Sequence, residues 1–564
     1  MNASTYMDNS PNLNLSPTYY WDYFQYVLRY VTNHYSQLLD EQEQTFIRDF
    51  ETSSFSAQCL YLRLASRKTI WFQENSLQYP EISSLEEAKT ELFHMNLLER
   101  ISQTEGQSIY ACLNNLNKAI CFDLIQVSGE KSPIAKSVSK PALLQYIVEN
   151  LSEQELLMRL EMLQIGLIRP LQTTYFHFIQ FLFFGSRNHD LTDFVVRDLG
   201  HRQFIDIDEA DLVPYFSTRE EAIQKWRISI WREWFFEKSK EENAVDEVMA
   251  SWQMNMWPLA PELLELCIGS FERTLFHVAR WLERQGELEM ALSLYEESLA
   301  GASLERRVRL LVKLKRIDEA NMWARTGLEL ITNPKERHFF EDYLWKQASK
   351  KQVKQVTASL KEAEKLAISK DWKEQVEEGV VDYFRNQGYY AAFTENRVWK
   401  NMMGLWFWDL IFHQTKTGFH HPFQYAPSHY ARENFALDLQ DEFKNLLVLL
   451  EDVTSWLALL QQNAARNQGK MNPLVDWQNL DFDLIQRLVQ VIPPAALTEV
   501  VTYMWQNLAT HSKGFPDLFI QKGDEYAFVE VKSPNDHLSA IQFFWHDFFR
   551  KQNISIRLIR VEWI

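Results

Sequence analysis

The stretch GFPDLFIQKGDEYAFVEVKSPNDHLS, from Gly514 to Ser539, is typical of a β-hairpin near the end of a 564-residue chain. Two runs rich in β-branched and aromatic residues, PDLFI and YAFVEVK, flank QKGDE. A Gly-Asp pair between such runs favours a two-residue turn. With the turn at residues 523–524, Asp517 falls directly opposite Glu530. The hairpin therefore brings two carboxylates together on a strand pair that is otherwise largely apolar.

Directly opposed residues in an antiparallel pair share one face of the sheet, with Cβ atoms roughly 5 Å apart. Lys532 lies two residues beyond Glu530, so it joins both carboxylates, while Val529 and Val531 point to the opposite, buried face. Two carboxylates this close would raise each other's pKa unless a cation lay between them. The pattern thus predicts three charged side chains around one small volume.

Paired carboxylate oxygens suit a hard divalent cation, Mg²⁺ or Mn²⁺. Asp517 and Glu530 are therefore predicted metal ligands, with the Val531 carbonyl as a further ligand. Lys532 is predicted to position or help deprotonate a water molecule and to offset charge on a phosphoryl oxygen. Such a set serves the attack of water on phosphorus. The alternative is a surface hairpin with an incidental Lys–Glu pair, because so short a pattern also recurs by chance.

Composition limits the class of protein. The chain is 46% apolar and 14% aromatic, which indicates a globular protein, and at roughly 150 residues per domain it should hold three or four domains. A net charge of −18 opposes unspecific coating of nucleic acid, so any DNA contact must come from local basic patches. The four cysteines (Cys59, Cys112, Cys121 and Cys267) form no CxxC pair, which predicts buried, reduced thiols and argues against a zinc finger.

No targeting or membrane segment is evident. The N-terminus lacks the basic and apolar regions of a signal peptide. The runs TTYFHFIQFLFFG from Thr173 and LLVLLEDVTSWLALL from Leu446 are short or broken by acids, whereas a span needs about 20 apolar residues. Both are predicted core helices, and a cytoplasmic protein is expected.

The first part of the chain has a mostly helical pattern from about Ser16 to Asn150, with β structure as an option over IYACLNNLNKAICFDLIQVS. The polar SGEKSPIAKSVSKP is predicted to be a linker. Next, SKPALLQYIVENLSEQELLMRLEMLQIG predicts short helices with Pro141 in a first turn. This segment is either a small helix-extended-helix DNA-binding module or an ordinary helical linker domain.

A repeat lies between Phe271 and Leu330. Its two copies align Leu282 with Leu311, Ala291 with Ala320 and Leu299 with Leu328. They predict helical hairpins similar to tetratricopeptide (TPR) repeats, although shorter than the usual period of about 34 residues. The lysine-rich segment that follows from Tyr343 predicts a helix with a solvated, mixed-charge face.

The hairpin and its flanks resemble the virus-type replication-repair nuclease (VRR-NUC) domain of the PD-(D/E)xK superfamily. The match comprises Pro516-Asp517, Glu530-x-Lys532, Pro534-Asn535-Asp536, Leu538-Ser539 and Gln542. Upstream, FTENRVWKNMMGLWFWDLIF from Phe393 and HPFQYAPSHYARENFALDLQDEF from His421 are similar to segments that precede the nuclease core in the Fanconi-associated nuclease family. With the helical repeats, the architecture resembles the bacterial form of that family.

The resemblance implies a mainly α, multidomain fold with a C-terminal α/β PD-(D/E)xK, restriction-endonuclease-like nuclease domain. The expected domains are a mostly helical N-terminal domain over 1–130, an SAP-like helical DNA-binding region over 131–270, TPR-like helical repeats over 271–380 and the VRR-NUC domain over 381–564. The aromatics Trp406, Trp408, Phe543, Phe544 and Trp545 are predicted to be core rather than a base-stacking platform.

The resemblance also implies roles for further residues. A helical glutamate joins the metal site in the family, and Glu395 occupies the matching position; the alternative is an ordinary polar residue. Gln542 either orients Lys532 or a water, or caps a polar gap. An arginine that often follows PND in the family is His537 here, so any phosphate contact at that position is weaker or pH-dependent.

In the family a basic pocket in the helical region holds the 5′ phosphate of a DNA flap. The segment LERRVRLLVKLKR supplies Arg306, Arg307 and Arg309, and NPKERHFF supplies Lys335 and Arg337 at a predicted helix start. Arg306 matches best by context, and the others are chosen by proximity. The alternative is a solvated helical face.

The implied activity is that of a Mg²⁺- or Mn²⁺-dependent, structure-selective DNA nuclease, a 5′-flap endonuclease and 5′-to-3′ exonuclease that acts in interstrand crosslink repair near the nucleoid. Its expected partners are 5′-flap and crosslinked DNA, and a homodimer on DNA stays open. Two alternatives are kept: a nuclease for four-way junctions or other branched DNA, and a catalytically inert TPR-type scaffold.

Overall fold

The computed structural model describes residues 15–103, 109–126, 134–135, 137–198, 203–205, 207–331, 333–348, 359–412, 418–428, 430, 434–450 and 452–564. The chain forms two compact units. The first comprises residues 1–201 and 214–219, and the second comprises residues 202–213 and 220–564.

The first unit is mainly helical. Its helices span Tyr19–Tyr35, Glu41–Thr52, Phe55–Ala65, Leu85–His94, Lys118–Gln126, Lys140–Asn150, Glu153–Met162, Thr173–Phe184 and Thr192–Asp198, with short 3-10 turns at Ser36–Leu38, Glu74–Ser76, Ile101–Gln103 and Ile109–Asn115. Strands β1 (Phe72–Gln73), β2 (Leu98–Arg100) and β3 (Leu167–Pro170) form an antiparallel sheet in the order β1-β3-β2. Helix Thr173–Phe184 is largely buried, which confirms the core helix predicted from its apolar run.

The β structure considered for IYACLNNLNKAICFDLIQVS is wrong. Its described residues form the 3-10 helix Ile109–Asn115 and the α-helix Lys118–Gln126. Its buried residues include Cys112, Cys121 and Leu124, which pack against helices Lys140–Asn150 and Glu153–Met162. A short apolar run is compatible with either a strand or a helix. Here the packing of one helical face against neighbouring helices favours the helix.

The two short helices predicted after the polar segment are present. Pro141 lies in the first turn of Lys140–Asn150, and Ser152 and Glu155 close a capping box at the start of Glu153–Met162. The capping box satisfies backbone donors that the first turn of Glu153–Met162 leaves without a helical partner, and Pro141 removes one such donor from the first turn of Lys140–Asn150. Half of the linker predicted before them falls outside the described residues.

The second unit opens with a helical array. Its helices span Arg219–Lys238, of which residue 219 is assigned to the first unit, Val245–Asn255, Glu265–Gln285, Leu288–Glu296, Gly301–Lys313, Ile317–Leu330 and Pro334–Ala348, with 3-10 turns at Glu209–Asp211 and Trp257–Glu262. Leu282, Leu311, Ala291 and Ala320 are fully buried, as the repeat predicts. Leu299 is 57% exposed, so the third aligned pair, Leu299 and Leu328, does not occupy a buried position in both copies of the repeat.

A five-stranded mixed sheet follows in the order β4-β8-β7-β6-β5. Its strands are β4 (Glu364–Ile368), β5 (Tyr390–Phe393), β6 (Leu518–Lys522), β7 (Glu525–Lys532) and β8 (Ile556–Trp563). β4, β8 and β7 run parallel, whereas β7, β6 and β5 pair antiparallel. The predicted lysine-rich helix does not run on through this region, because β4 pairs with β8 and buries Leu366 and Ile368. β4 also lies before the predicted boundary of 381 for the nuclease domain.

The same unit contains further helices. They span Val376–Asn386, Glu395–Trp406, Trp408–Ile411, Asn434–Asp438, Gln440–Leu449, Val453–Asn467, Phe482–Val491, Pro494–Gln506 and Ala540–Lys551, with 3-10 turns at Lys370–Trp372 and Trp477–Asn479. Trp406, Trp408 and Trp545 are at most 3% exposed, and Phe543 and Phe544 are half-buried, which confirms that these aromatics belong to the packed interior.

Two further predictions concern the whole chain. All four cysteines are buried and free, and burial raises the pKa of each thiol. No single helix in the described part of the chain is long and apolar enough to cross a membrane; helices Phe482–Val491 and Pro494–Gln506 reach that length and hydropathy only together, across a bend of 117°.

Gly379→Ala is expected to lower the free energy of unfolding by about 1–3 kcal/mol, since overpacking forces neighbours apart. A Cβ at Gly379 would lie 2.7 Å from Cβ and Cγ of Trp372 and 2.9 Å from Cδ1 of Ile368. Gly269→Ala is the matched control, because its new Cβ would meet only Nη1 of Arg273, at 3.4 Å, on an exposed helix face. In urea unfolding, we expect the midpoint of Gly269→Ala to equal or exceed that of wild type, because alanine favours a helix more than glycine does. Equal midpoints for Gly379→Ala and wild type would contradict the close packing.

Candidate active site

The register of the C-terminal hairpin agrees with the sequence prediction. Leu518 pairs with Val529 and Ile520 with Ala527, around a turn in which Gly523 has a φ of +60°. A left-handed turn position of this kind favours glycine. Asp517 lies just before β6, and its Oδ2 accepts a hydrogen bond from the Val531 N–H at 2.8 Å. The first carboxylate is therefore held against the strand that carries the second.

Glu530 and Lys532 are both buried in the described structure, with 2% and 7% of their surfaces exposed. Nζ of Lys532 lies 2.7 Å from Oε1 of Glu530. This close ion pair does not have the angles of a regular hydrogen bond, and Oε1 has no other partner among the described residues. Val529 and Val531 point the other way into the apolar core of the sheet. The alternative of an exposed surface hairpin with an incidental ion pair does not fit this burial.

The two carboxyl groups hold protons more tightly than exposed ones. Burial, with the charge of Asp517, raises the pKa of Glu530 to about 8, against the lowering effect of Lys532. Burial also raises the pKa of Asp517 to about 6, opposed by the Val531 N–H and by Lys532, with the nearby charges of Glu377 and Glu395 adding to the increase. Bringing a cation to these groups would favour their charged forms.

Glu395 begins the helix Glu395–Trp406 and is tied to the hairpin through its backbone. The N–H groups of Thr394 and Glu395 donate to the Asp517 carbonyl at 2.8 and 3.2 Å, and Thr394 Oγ1 donates to the Pro516 carbonyl at 2.9 Å. Glu395 has a φ of +28°, which costs a side-chain-bearing residue of order 1–3 kcal/mol. Such strain persists where surrounding contacts enforce it, and here these hydrogen bonds do so.

The donor set fits a hard divalent cation. Asp517 and Glu530 offer carboxylate oxygens with raised pKa values, and Oε1 of Glu530 is a buried acceptor without a regular hydrogen bond. Within the described ranges, however, no three His, Cys, Asp or Glu side chains converge closely enough to hold a metal ion. The side chain of Glu395 is exposed. The assignment of Glu395, Asp517, Glu530 and the Val531 carbonyl as metal ligands thus stays a prediction.

Gln542 belongs to a helix cap. Its side-chain oxygen accepts from the Ser539 N–H at 3.0 Å, and its own N–H donates to Ser539 Oγ at 3.3 Å, which closes a capping box at the start of Ala540–Lys551. The side-chain carbonyl is therefore engaged, and any role in orienting Lys532 or water falls to the amide nitrogen. His537 is exposed before this helix.

The predicted phosphate-binding arginines all have carboxylate partners within the helical array. Arg306 pairs with Glu283, Arg307 with Glu296, Arg309 with Glu305 and Arg337 with Glu341. Arg307 is only 7% exposed, and its guanidinium lies 3.5 Å above the centre of the Trp323 ring. Arg337 follows the helix start at Pro334, as predicted, whereas the side chain of Lys335 falls outside the described residues.

The buried position of Arg307 argues for a structural role instead of a phosphate contact. Arg306 and Arg309 are more open, so a phosphate would compete there with Glu283 and Glu305. Sequence reasoning also missed Glu377, whose charge acts on Asp517 from the first turn of Val376–Asn386. Its amphipathic helix gives no local sign of this proximity, since the contact arises only when the helix packs on the sheet.

Two family models match the chain. The FAN1 HTH domain model matches residues 18–99, and the VRR-NUC domain model matches residues 453–563. The second match contains the hairpin with Asp517, Glu530 and Lys532 and does not extend to Glu395. The first match covers the helical N-terminal region, which the sequence analysis had left without an assigned role.

Curated relatives and solved structures agree with these matches. A Fanconi-associated nuclease 1 homologue from Pseudomonas aeruginosa is 25% identical over 98% of this chain and 97% of its own length. A homologue from rice is 24% identical over 95% of this chain and 62% of its length. A crystal structure of paFAN1 bound to 5′-flap DNA with a two-nucleotide flap and a gap has a TM-score of 0.84 at 23% identity, covering 98% of this chain and all of that chain. The chain thus contains regions that match the FAN1 HTH and VRR-NUC domain models, and over nearly its whole length it is similar to a Fanconi-associated nuclease homologue.

Proposed function

We propose that this protein is a Mg²⁺- or Mn²⁺-dependent, structure-selective DNA nuclease that cuts the 5′-flap strand near the branch and trims in the 5′-to-3′ direction. The observation that carries the proposal is the set of half-buried Asp517 with buried Glu530 and Lys532 on the hairpin, backed by the helix that begins at Glu395. Crystal structures of paFAN1 with 5′-flap DNA, at TM-scores of 0.84 and 0.80, support the substrate class.

The protein's own groups divide the work of phosphodiester hydrolysis. Lys532 can orient a water molecule and offset charge that develops on a phosphoryl oxygen, where a fixed cation stabilises the transition state most. The Val531 N–H, by donating to Oδ2 of Asp517, holds that carboxylate in one orientation and leaves Oδ1 for a further contact. Burial of Glu530 favours its neutral form, so this carboxyl group would become charged when a cation binds beside it.

A divalent cation would be held by Asp517, Glu530, Glu395 and the Val531 carbonyl, and when bound it supplies Lewis-acid activation of water at neutral pH. Its binding requires the carboxyl groups of Asp517 and Glu530 to lose their protons. Because the pKa of Glu530 is raised to about 8, metal affinity should increase with pH up to that range. The cellular role that follows from cutting branched DNA is repair, and we place interstrand crosslinks among its substrates.

The test uses purified protein and three end-labelled substrates: a 5′-flap duplex with a 5′ phosphate, a four-way junction and a blunt duplex. We expect cutting of the flap near its branch with Mg²⁺ or Mn²⁺ and none with EDTA. Faster cutting of the four-way junction would favour a different branched-DNA nuclease. Intact substrates under every condition, from a folded protein, would favour the inert scaffold.

Arg306→Gln is expected to reduce the preference for a 5′ phosphate over a 5′ hydroxyl on the flap. A charge-assisted hydrogen bond contributes about 1.5–3 kcal/mol, so the ratio of cutting rates should fall roughly ten- to hundredfold. Arg316→Gln is the matched control, since Arg316 lies on the same array and pairs with Glu319. An unchanged ratio for Arg306→Gln would remove Arg306 from the phosphate pocket.

A further inference from the structure

Two lysines outside the predicted catalytic set converge beside it. Asn396, in the first turn of the helix Glu395–Trp406, accepts hydrogen bonds at its Oδ1 from the N–H groups of Gly514 and Phe515, at 2.5 and 3.2 Å. Lys400 lies four residues after Asn396 and therefore on the same face of that helix. The residue directly before Gly514 is Lys513. The same contacts join the segments that carry Lys400 and Lys513, and the charge of Lys513 acts on Lys400.

The backbone that carries Lys513 is held from both sides. On one side is Asn396, and on the other Nε1 of Trp545 donates to the Lys513 carbonyl at 2.8 Å. The next aromatic residue, Phe515, stacks on Trp545 with ring centres 3.9 Å apart and on Trp399 at 5.0 Å. Because Trp545 and Trp399 are fully buried, this segment is anchored in the core, and Lys513 projects from a rigid base.

The charges of this pair are not balanced by a nearby ion pair. Lys400 is half-buried and Lys513 is exposed, and neither forms a salt bridge with any carboxylate in the described ranges. Burial and the charge of Lys513 lower the pKa of Lys400, while Glu395 acts in the opposite direction. Holding two like charges together costs free energy unless an anion lies between them. In a chain of net charge −18, this local excess of positive charge needs an explanation.

The position of the pair indicates which anion would bind. Lys513 lies in the segment that leads through Pro516 and Asp517 into β6. Lys400 follows Glu395 on the same helix. The two lysines therefore lie on the same two segments that carry Glu395 and Asp517. A phosphate contact of this kind fixes the register of a nucleic acid without reading its sequence.

We propose that Lys400 and Lys513 together bind one backbone phosphate of the DNA strand, within one or two nucleotides of the bond that is cut, and so position that bond at the catalytic carboxylates. The inference rests on the proposed nuclease function and adds two residues that position the substrate. They take no part in proton transfer or metal binding.

The first measurement is the salt dependence of binding to a labelled 5′-flap duplex in EDTA, by fluorescence anisotropy, which needs no cutting. Each phosphate contact contributes about 0.9 to the slope of log K against log salt concentration for duplex DNA and about 0.7 for single strands. We expect Lys400→Gln and Lys513→Gln each to lower the slope and the double variant to lower it by no more than one phosphate contact. Lys513→Arg should keep the wild-type slope, because arginine retains the charge.

Lys365→Gln is the matched control, because Lys365 is 68% exposed on the edge strand β4 and pairs with Glu562. Thermal unfolding of each variant checks that the fold is kept. The second measurement maps the phosphate: after the wild-type cut has been located on a gel, methylphosphonates are placed one at a time on either side of it. Neutralising the contacted phosphate should weaken binding of wild type and have no effect on the double variant.

The outcomes separate this inference from the proposed function. Wild-type cutting of the flap with unchanged salt slopes in both glutamine variants would overturn the lysine contact and leave the nuclease function in place. Reduced slopes with no cutting by wild type would support the contact and contradict the nuclease function. A methylphosphonate effect that is equal in wild type and the double variant would also overturn the contact.

Discussion

Glu530→Gln is expected to abolish cutting of the 5′ flap while DNA binding in EDTA is unchanged. Glutamine keeps the shape of the side chain and removes the charge that the 98% buried carboxylate would contribute to the metal site and to Lys532. Loss of one fixed electrostatic group in a water-excluded site typically lowers kcat by about 10²–10³, and loss of a metal ligand adds to this. Single-turnover cutting with Mn²⁺ measures the effect.

The same variant tests the protonation of the site through stability. The folded-state pKa of Glu530, about 8, lies above the value of about 4.3 for an unfolded glutamate. The metal-free folded state therefore binds a proton that the unfolded state has lost, so stability falls as pH rises from about 4 through 8. Glu530→Gln removes this penalty. Without metal, we expect a higher Tm than wild type at pH 9 and a much smaller difference at pH 5.

Glu525→Gln is the matched control, since Glu525 is exposed at the other end of β7 and should change neither cutting nor the pH dependence of Tm. Addition of Mn²⁺ should raise the Tm of wild type and of this control and have little effect on Glu530→Gln. Full cutting by a folded Glu530→Gln protein would remove Glu530 from the active site. Equal Tm values at pH 9 would contradict its raised pKa.

Trp545→Ala is expected to give the largest loss of stability, about 3–5 kcal/mol for removing a fully buried aromatic side chain. Trp545 is 0% exposed, stacks on Phe515, and donates to the Lys513 carbonyl at 2.8 Å. Its loss leaves a cavity and an unpaired carbonyl directly beneath the segment that leads to Asp517. Cutting should therefore fall as well, even at temperatures where the variant stays folded.

Guanidinium unfolding, followed by tryptophan fluorescence and by circular dichroism, measures the change in the free energy of unfolding. Trp257→Ala is the control, because Trp257 is 46% exposed and surface substitutions usually change stability by less than about 0.5 kcal/mol. Equal midpoints for the two variants would show that Trp545 does not support the hairpin. Normal cutting by a strongly destabilised Trp545→Ala protein would show that Trp545 stabilises the fold without supporting the geometry of the active site.

The C-terminal hairpin was predictable because its register depends on local rules. The turn residues set the pairing of the two strands, which places Asp517 beside Glu530 and Val531. Because side chains alternate between the two faces of a strand, Lys532 lies on the same face as Glu530. The structure has this arrangement. The helical hairpins of the repeat were predictable for a similar reason, since the spacing of buried leucines and alanines follows one helix face. In both cases neighbours in sequence determine which face is buried.

Other features depended on partners distant in sequence. β4 lies in a segment whose charges predict a helix, yet it pairs with β8, nearly two hundred residues later. The surroundings of Arg307 depended on distant partners in the same way, because the packing of two helices buries this arginine against Trp323. Charge patterns identify candidate faces, but burial decides which charged groups remain available to a ligand.

By itself, the sequence determined the hairpin with its two carboxylates and lysine, the helical repeats and the resemblance to a nuclease family. Only the tertiary structure decided how strongly these groups are desolvated, that Glu395 has a positive φ while its N–H donates to the Asp517 carbonyl, and that the charge of Lys513 acts on Lys400. The physical reason is that periodicity reports the face on which a residue lies. Burial, raised pKa values and charge pairs arise only when separate elements pack against one another and exclude water.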